Sequence, residues 1–301
     1  MGMSEPSYAR PVLASVILVL VLWLMVGCGG GSGKKTLEIA DIGWTENTAI
    51  AALTKVLLEE ELGYDRVTIH ATALNSTYDS VAQGDLDAFQ DVWLPNQRDL
   101  LGVVKDRVEL LEDWYEGQTT QGIAVPSYMD TTSLDGLNAS DADLILGIEP
   151  SSVDMQKTFD EVMPAYDLHQ QLVQGPTEGM LAEVDARYRN QEPFAFVAWS
   201  PHWMNLRYDI RYLEDPKNAF GELNDAAEVR TVVKENLKDK DPVAYAFIKA
   251  LRLNEEQLND LESTIEDIGD PHEGARQWAQ NNREMVQPWI DAAKNAQQEA
   301  S

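Results

Sequence analysis

The chain contains a single cysteine, Cys28, in 301 residues, and its four histidines stand at positions 70, 169, 202 and 272. One cysteine leaves no partner for a disulfide within the chain. The histidines show no spacing typical of zinc ligands, so we expect no metal site, and we expect no cofactor. The fold must therefore be held together by its hydrophobic core, which a chain of this length can build.

Basic residues are scarce as well, with 23 Lys and Arg against 51 Asp and Glu and a net charge of −28. Such acidity opposes binding to nucleic acid or to anionic membrane surfaces. The sequence also lacks a Gly-x-Ser-x-Gly elbow, a metal-binding helix and a Cys–His arrangement. The acidic residues could supply the carboxylate pair of a glycoside hydrolase, so a secreted hydrolase stays as a remote alternative. We predict a protein that is not an enzyme.

The amino terminus has the features of a secretory signal. One acid and one base, Glu5 and Arg10, precede an apolar run over residues 12–26. As a helix this run is roughly 22 Å long, which is shorter than the hydrocarbon core of a bilayer at about 30 Å. We therefore predict a signal peptide over residues 1–27, and an uncleaved anchor is the alternative.

Cys28 follows this run directly, and its position resembles a bacterial lipoprotein box. In such a box the cysteine thiol is lipidated and becomes the first residue of the mature protein. We therefore predict lipidation at Cys28. Residues 28–35, which are rich in glycine, are expected to form a flexible tether behind the lipid.

The rest of the chain alternates between strand patterns and helix patterns. The strand patterns cover residues 36–43, 67–71, 86–93, 121–126, 143–148 and 194–199. The helix candidates begin near Asn47, Asn75 and Asp154 and then cover residues 242–253, 255–268 and 272–294. This alternation predicts an α/β fold in which mainly parallel sheets are flanked by helices.

Three tryptophans stand where apolar strand patterns meet Pro, Asn or Ser. They are Trp44, Trp93 and Trp199. In open α/β sheets ligands bind at the carboxyl ends of the strands, so these side chains are candidates for a shared site. A quaternary ammonium ion has no N–H to donate, and a protein must hold it on the faces of aromatic rings, of which indole is the best. We predict a tryptophan cage for such an ion, although any single Trp could instead be a core residue.

Five short motifs support this prediction. They are Gly43-Trp44-Thr45-Glu46, Val92-Trp93-Leu94-Pro95-Asn96, Gly122-Ile123-Ala124-Val125-Pro126, Gly147-Ile148-Glu149-Pro150 and Trp199-Ser200-Pro201-His202-Trp203-Met204. In this order they resemble the substrate-binding proteins of ABC importers for glycine betaine, proline betaine and choline. The resemblance implies a periplasmic-binding-protein fold, with two α/β lobes that close on a ligand in the cleft between them. We assign lobe 1 to residues 36–120 plus 226–301 and lobe 2 to residues 121–225.

The resemblance also implies which residues bind the ligand. Backbone amides of Val153 and Asp154, in the loop that contains Ser152, would hold the carboxylate of a betaine, as expected at a helix amino terminus. Arg98 stands where one subgroup of betaine binders carries a histidine, and it could pair with that carboxylate. Glu46 stands where choline binders carry an acid. Arg98 thus favours a zwitterion, whereas Glu46 and Asp154 favour a simple cation.

From these patterns we expect a lipid-anchored receptor outside the cytoplasm that delivers a quaternary ammonium osmolyte to an ABC permease. Glycine betaine or a related betaine is the leading ligand, and choline is the alternative. We expect a monomer that contacts the membrane only through its lipid anchor, with no nucleic-acid partner.

Overall fold

Two five-stranded β-sheets organise the part of the chain that the computed structural model describes, which is residues 1–2 and 34–300. Most of the predicted signal peptide, Cys28 and most of the Gly-rich tether lie outside these residues. Within residues 34–300, no helix has both the length and the apolar composition that would be needed to span a bilayer.

The first sheet has the strand order β2-β1-β3-β11-β4. Its strands are β1 (Thr36–Asp41), β2 (Arg66–Ala71), β3 (Ala88–Leu94), β4 (Val108–Leu110) and β11 (Glu228–Lys234). Strand β1 is parallel to both β2 and β3, whereas β11 runs antiparallel to β3 and β4. Parallel neighbours need a crossover connection, which explains why helices separate the first three strands in the sequence.

The second sheet has the order β10-β6-β9-β7-β8. Its strands are β6 (Thr120–Pro126), β7 (Leu144–Leu146), β8 (Gln171–Val173), β9 (Ala195–Ser200) and β10 (Ile210–Tyr212). Strand β7 is parallel to β8 and β9, and β6 is antiparallel to β9 and β10. A small ladder pairs β5 (Tyr115–Glu116) with β12 (Leu253–Asn254). Both sheets are therefore mixed, each with three parallel strands.

Helices cover the sheets. They are α1 (Thr45–Glu61), α2 (Leu74–Gln83), α3 (Arg98–Val104), α4 (Val153–Lys157), α5 (Met163–Tyr166), α6 (Thr177–Asn190), α7 (Met204–Arg207), α8 (Leu237–Lys240), α9 (Pro242–Ala250), α10 (Glu255–Ile268), α11 (Pro271–Asn281) and α12 (Arg283–Glu299). One π-helical segment, Thr158–Val162, joins α4 to α5, and 3₁₀ turns lie at Leu134–Ala139 and Gly221–Asn224.

Three predicted helices have other boundaries in the structure. The helix predicted over 242–253 ends at Ala250, and Leu253 begins β12. Asn47 does not cap α1, which already begins at Thr45; its side-chain oxygen instead accepts a hydrogen bond from the Ile42 amide at 2.8 Å and so braces the turn that leads into the helix. The predicted helix over 272–294 is two helices, because Asn282 has a non-helical backbone. Its side-chain amide donates to the carbonyl of Trp278 at 3.0 Å and caps the end of α11.

The chain passes from the first sheet to the second between β5 and β6, and it returns between β10 and β11. Thr119 and Ala227 join these two passages: the Thr119 hydroxyl accepts from the Ala227 amide at 2.5 Å and donates to its carbonyl at 3.2 Å. The predicted lobe boundaries, after residues 120 and 225, fall beside these two residues. The division of the chain into two lobes at residues 120 and 225 stays a prediction.

Candidate ligand-binding cavity

A cavity with about 380 Å³ of empty space lies where residues that follow or end the strands of both sheets meet. The first sheet and its helices contribute Trp44, Glu46, Trp93, Asn96 and Gln97, and the second contributes Gln121, Ile148, Val153, Asp154, Val197, Ala198 and Trp199.

The three predicted tryptophans are brought together here. Trp44 follows β1, Trp93 lies near the end of β3 and Trp199 lies near the end of β9. All are buried, with 7%, 2% and 6% of their surface exposed. Trp114 and Trp278 are also buried but do not belong to the cavity lining. Contact of the three rings with a ligand stays a prediction.

Each of these three indoles donates its N–H to an acidic side chain. The pairs are Trp44 with Glu149 at 3.2 Å, Trp93 with Asp91 at 2.8 Å and Trp199 with Glu46 at 3.1 Å. Two of the pairs connect the two sheets, because in each of them the indole and the acid come from opposite sides of the cavity. The rings are thereby fixed in orientation as well as in position.

Two carboxyl groups, Glu46 and Asp154, belong to the lining itself. Burial raises the pKa of Glu46 to about 7, and the neighbouring acids Asp154 and Glu149 raise it further. The hydrogen bond from Trp199 lowers it and offsets part of this rise. Burial also raises the pKa of Asp154 to about 6. Among the residues that the structure describes, the lining includes no Lys, Arg or His. The cavity therefore lacks a fixed positive charge to balance its acids.

Two further acids lie behind the lining. Asp91 is fully buried, and burial together with the charge of Glu46 raises its pKa well above the usual range. Glu262 on α10 is also buried, and the same two causes raise its pKa, although it accepts a hydrogen bond from the Trp203 amide at 2.8 Å. The acids of α1, β3 and α10 thus interact with one another around the cavity.

His202 follows Trp199 in the sequence and is fully buried beside it, with the two rings 4.8 Å apart. Burial lowers the pKa of His202 to about 3, so its ring is neutral. Its Nδ1 accepts from the Met204 amide at 3.0 Å. The proton is therefore on Nε2, which donates to the Thr45 hydroxyl at 2.7 Å. This bond adds a further link between the second sheet and α1.

Two predicted site residues lie outside the lining. Arg98 begins α3 on the surface, where its side chain is 65% exposed and its guanidinium donates to Glu222 at 3.1 Å. The chain turns after Leu94, so this position faces solvent, and the pairing of Arg98 with a ligand carboxylate stays a prediction. Ser152 is buried, and its hydroxyl accepts from the Met155 amide at 3.1 Å as the cap of α4. It holds the loop that presents Val153 and Asp154.

Three polar lining residues were not predicted, namely Asn96, Gln97 and Gln121. The Asn96 amide donates to Gln121 across the cavity at 2.5 Å, and Gln97 accepts from the Tyr78 hydroxyl at 2.5 Å. Asn96 and Gln97 follow Trp93 at the end of a strand, which is the signal that could have found them. Gln121 carried no such signal.

The chain resembles known proteins over most of its length. A family model described as the substrate-binding domain of ABC-type glycine betaine transport systems matches residues 35–281. The glycine betaine/carnitine transport binding protein GbuC of Listeria monocytogenes is 30% identical over 124 residues, which are 41% of this chain and 40% of that protein. The aligned part is thus less than half the length of this relative.

Two solved structures are similar over almost all of their own length. Lactococcal OpuAC, in a closed conformation with glycine betaine, is 26% identical with a TM-score of 0.75, and the match covers 85% of this chain and 99% of that one. The glycine betaine/L-proline-binding protein ProX of Borrelia burgdorferi is 25% identical with a TM-score of 0.77, covering 87% and 100%. These matches confirm the predicted fold class, which is that of a two-lobed α/β binding protein. The chain belongs to the family of substrate-binding domains of ABC-type glycine betaine transport systems.

Glu46 generates a prediction about stability. Its pKa is raised from 4.5 to about 7 in the folded protein, so folding is favoured at low pH and this contribution is lost as the pH rises through about 7. Above that pH the ionised group costs about 3 kcal/mol. We expect Glu46→Gln to raise the free energy of unfolding of the ligand-free protein by this amount near pH 8 and to have little effect near pH 4, as measured by urea unfolding.

The matched control for this prediction is Glu256→Gln, on the exposed surface of α10. We expect it to leave the free energy of unfolding nearly unchanged at both pH values. An equal gain from Glu46→Gln at both pH values would show that the effect does not come from ionisation of the buried carboxyl group.

Proposed function

We propose that this protein is a receptor that binds a quaternary ammonium osmolyte outside the cytoplasm and delivers it to an ABC importer. Glycine betaine or a related betaine is the proposed ligand. The observation that carries the proposal is the cavity in which Trp44, Trp93 and Trp199 converge from both sheets. Three desolvated indole faces, at about 2 kcal/mol each, can supply much of the free energy of a micromolar complex, which is about −8 kcal/mol.

A betaine also has a carboxylate, which needs hydrogen-bond donors when it is buried. The backbone amides at Val153 and Asp154, at the start of α4, can donate to it. The side-chain amide of Gln121, which belongs to the same lining, can donate as well. All of these donors are neutral, unlike the charged partner expected from Arg98.

Choline is the second candidate, and the unpaired oxygens of the lining favour it. Glu46 Oε1, Asn96 Oδ1 and Asp154 Oδ1 are buried and have no hydrogen-bond partner among the described residues. All three are acceptors, and two of them belong to acids. A ligand that combines a cation with a hydroxyl group would satisfy such a lining better than a zwitterion would, because it brings a donor and no negative charge.

We further propose that the receptor is a lipoprotein anchored through Cys28, as the sequence before that residue suggests. The partner would be the permease of an ABC importer, as the family membership supports. We expect Cys28→Ser to abolish incorporation of labelled palmitate and to release the protein from membranes in a bacterial host. Labelling of the Cys28→Ser protein at the unaltered level would contradict lipidation at this residue.

The first binding prediction concerns the cage. We expect Trp44→Phe, Trp93→Phe and Trp199→Phe each to weaken binding by about three- to tenfold, because benzene offers a weaker negative face than indole. Isothermal titration calorimetry with glycine betaine, carnitine, proline betaine and choline would measure this and identify the ligand. Trp278→Phe is the matched control, since Trp278 is equally buried but lies outside the lining. An unchanged affinity in Trp93→Phe would contradict the cage.

The second binding prediction uses pH to separate a cation from a zwitterion. The pKa values of Glu46 and Asp154 are about 7 and about 6 without ligand. A cation stabilises the ionised carboxylates and releases protons on binding, so its affinity should rise by about three- to tenfold between about pH 5.5 and about pH 7.5. A ligand carboxylate that faces the same acids stabilises their protonated forms, so betaine affinity should stay flat or fall over this range.

Glu46→Gln and Asp154→Asn are the controls for the pH experiment. Each removes one titrating group while keeping its shape, so we expect the pH dependence of choline binding to become weaker in both variants. A pH dependence that is identical in the unaltered protein and in both variants would assign the titration to other groups.

A further inference from the structure

The acids that receive the indole N–H groups of the cage have no role in the function proposed above, apart from Glu46, which also lines the cavity. We propose that Asp91 and Glu149 are specificity-determining residues that act through the indoles of Trp93 and Trp44, making the ring faces more negative and so favouring a cation over a neutral molecule of the same shape. This inference rests on the proposed quaternary ammonium ligand.

The placement of the two acids carries the inference. Neither Asp91 nor Glu149 belongs to the cavity lining, whereas the indoles to which they bind do. Each acid therefore reaches a ligand only through or past its ring. An indole N–H does not need an acid as its partner: the N–H of Trp114, outside the cage, donates to the backbone carbonyl of Gln90 at 2.8 Å. Trp278, also outside the cage, does donate to an acid, Asp260, so the inference rests on the position of Asp91 and Glu149 beside rings that line the cavity.

The physical effect follows from the charge on the acceptor. A hydrogen bond to a carboxylate is stronger than one to a neutral group. The carboxylate draws the N–H proton towards itself, which leaves more electron density on the ring. The ring then presents a more negative face, on which cation–π attraction depends. The carboxylates also attract a cation directly across a buried region in which solvent screening is weak. A neutral ligand gains from neither effect.

Glu149 is held in this position by three hydrogen bonds. Its two oxygens accept from the amide of Thr177 at 2.9 Å and from the Thr177 hydroxyl at 2.9 Å, in addition to the Trp44 indole. Thr177 is the first residue of α6, which is 14 residues long, so the carboxylate also lies at the positive end of a helix dipole. These contacts fix the orientation of its side chain.

Asp91 is held differently. It lies two residues before Trp93 on β3, so both side chains are on the same face of the strand. Its Oδ1 accepts from the indole, while Oδ2 is buried and has no hydrogen-bond partner among the described residues. A buried acid with an unpaired oxygen is costly unless a positive charge is nearby. Burial and Glu46 hold the pKa of Asp91 well above its usual range, so its negative charge would develop when a cation binds on the face of the Trp93 ring.

The test compares two ligands that differ only in charge. The probes are choline and its neutral tert-butyl analogue, in which a carbon atom replaces the ammonium nitrogen. Asp91→Asn and Glu149→Gln keep an oxygen that can accept the indole N–H and remove the negative charge. Glu149→Gln also replaces one of the two acceptor oxygens by an amide, so the comparison with the neutral probe is needed to isolate the effect of charge. We expect each to weaken binding of the quaternary ammonium probe by about three- to tenfold and to change the affinity for its neutral analogue less than about twofold.

The chain provides a matched control for these substitutions. The indole of Trp278, outside the cage, donates to Asp260 at 2.8 Å. Asp260→Asn changes the same kind of pair, and we expect it to leave both affinities unchanged. Equal losses for the charged and the neutral probe in Asp91→Asn and Glu149→Gln would show that these acids only support the structure and would overturn the inference.

A double-mutant cycle supplies a second readout where the neutral analogue binds too weakly to measure. If Glu149 acts through the indole, Glu149→Gln should cost much less affinity in the Trp44→Phe protein, which has no N–H to polarise, than in the unaltered protein. Additive losses would overturn the role of the indole. Failure of the unaltered protein to bind glycine betaine and choline would overturn the proposed function, whereas normal binding with unchanged selectivity in the variants would overturn only the role of the acids.

Discussion

The hydrogen bond between an indole of one sheet and an acid of the other is the interaction on which the cavity depends. Trp44 donates to Glu149, and Trp199 donates to Glu46, so each side of the cavity supplies both a ring and a carboxyl group. The neutral ring of His202 adds a third link to Thr45. Because these bonds end on the aromatic walls themselves, the contacts that join the two sheets also orient the surfaces that would hold a cation.

This arrangement brings several acids close together. Glu46, Asp91 and Glu262 come from three different elements, and each is nearly or fully buried. Like charges in such surroundings raise one another's pKa values, which adds to the effect of burial. Protonation relieves this cost in the ligand-free protein, but ionised acids would remain uncompensated, since no basic side chain lines the cavity among the described residues. A bound cation is the group that would offset it.

Part of this site could be predicted from the sequence. The α/β class follows from the alternation of patterns, and the three cage tryptophans follow from their positions at strand ends. Asp91 could also have been found, because residues two apart on a strand share a face. The link from Trp44 to Glu149 joins residues 105 positions apart, and no local pattern predicts it. Arg98 was placed by its distance from Trp93 along the chain, but the start of α3 turns that position towards solvent.

A cage of three indoles does not by itself distinguish a charged ligand from a neutral one of the same shape, and the acids supply this distinction. Tryptophan offers a large apolar surface, and a cavity lined only by such rings would accept a neutral tert-butyl group through the hydrophobic effect. To distinguish a quaternary ammonium ligand from a neutral one, the site needs an interaction that only a charged ligand makes. Carboxylates in contact with the ligand would supply it, but they would also repel the carboxylate of a zwitterion. Acids at the N–H edges of the rings, as Asp91 and Glu149 are, supply the same attraction when ionised, while leaving the space beside the cage free for the rest of the ligand.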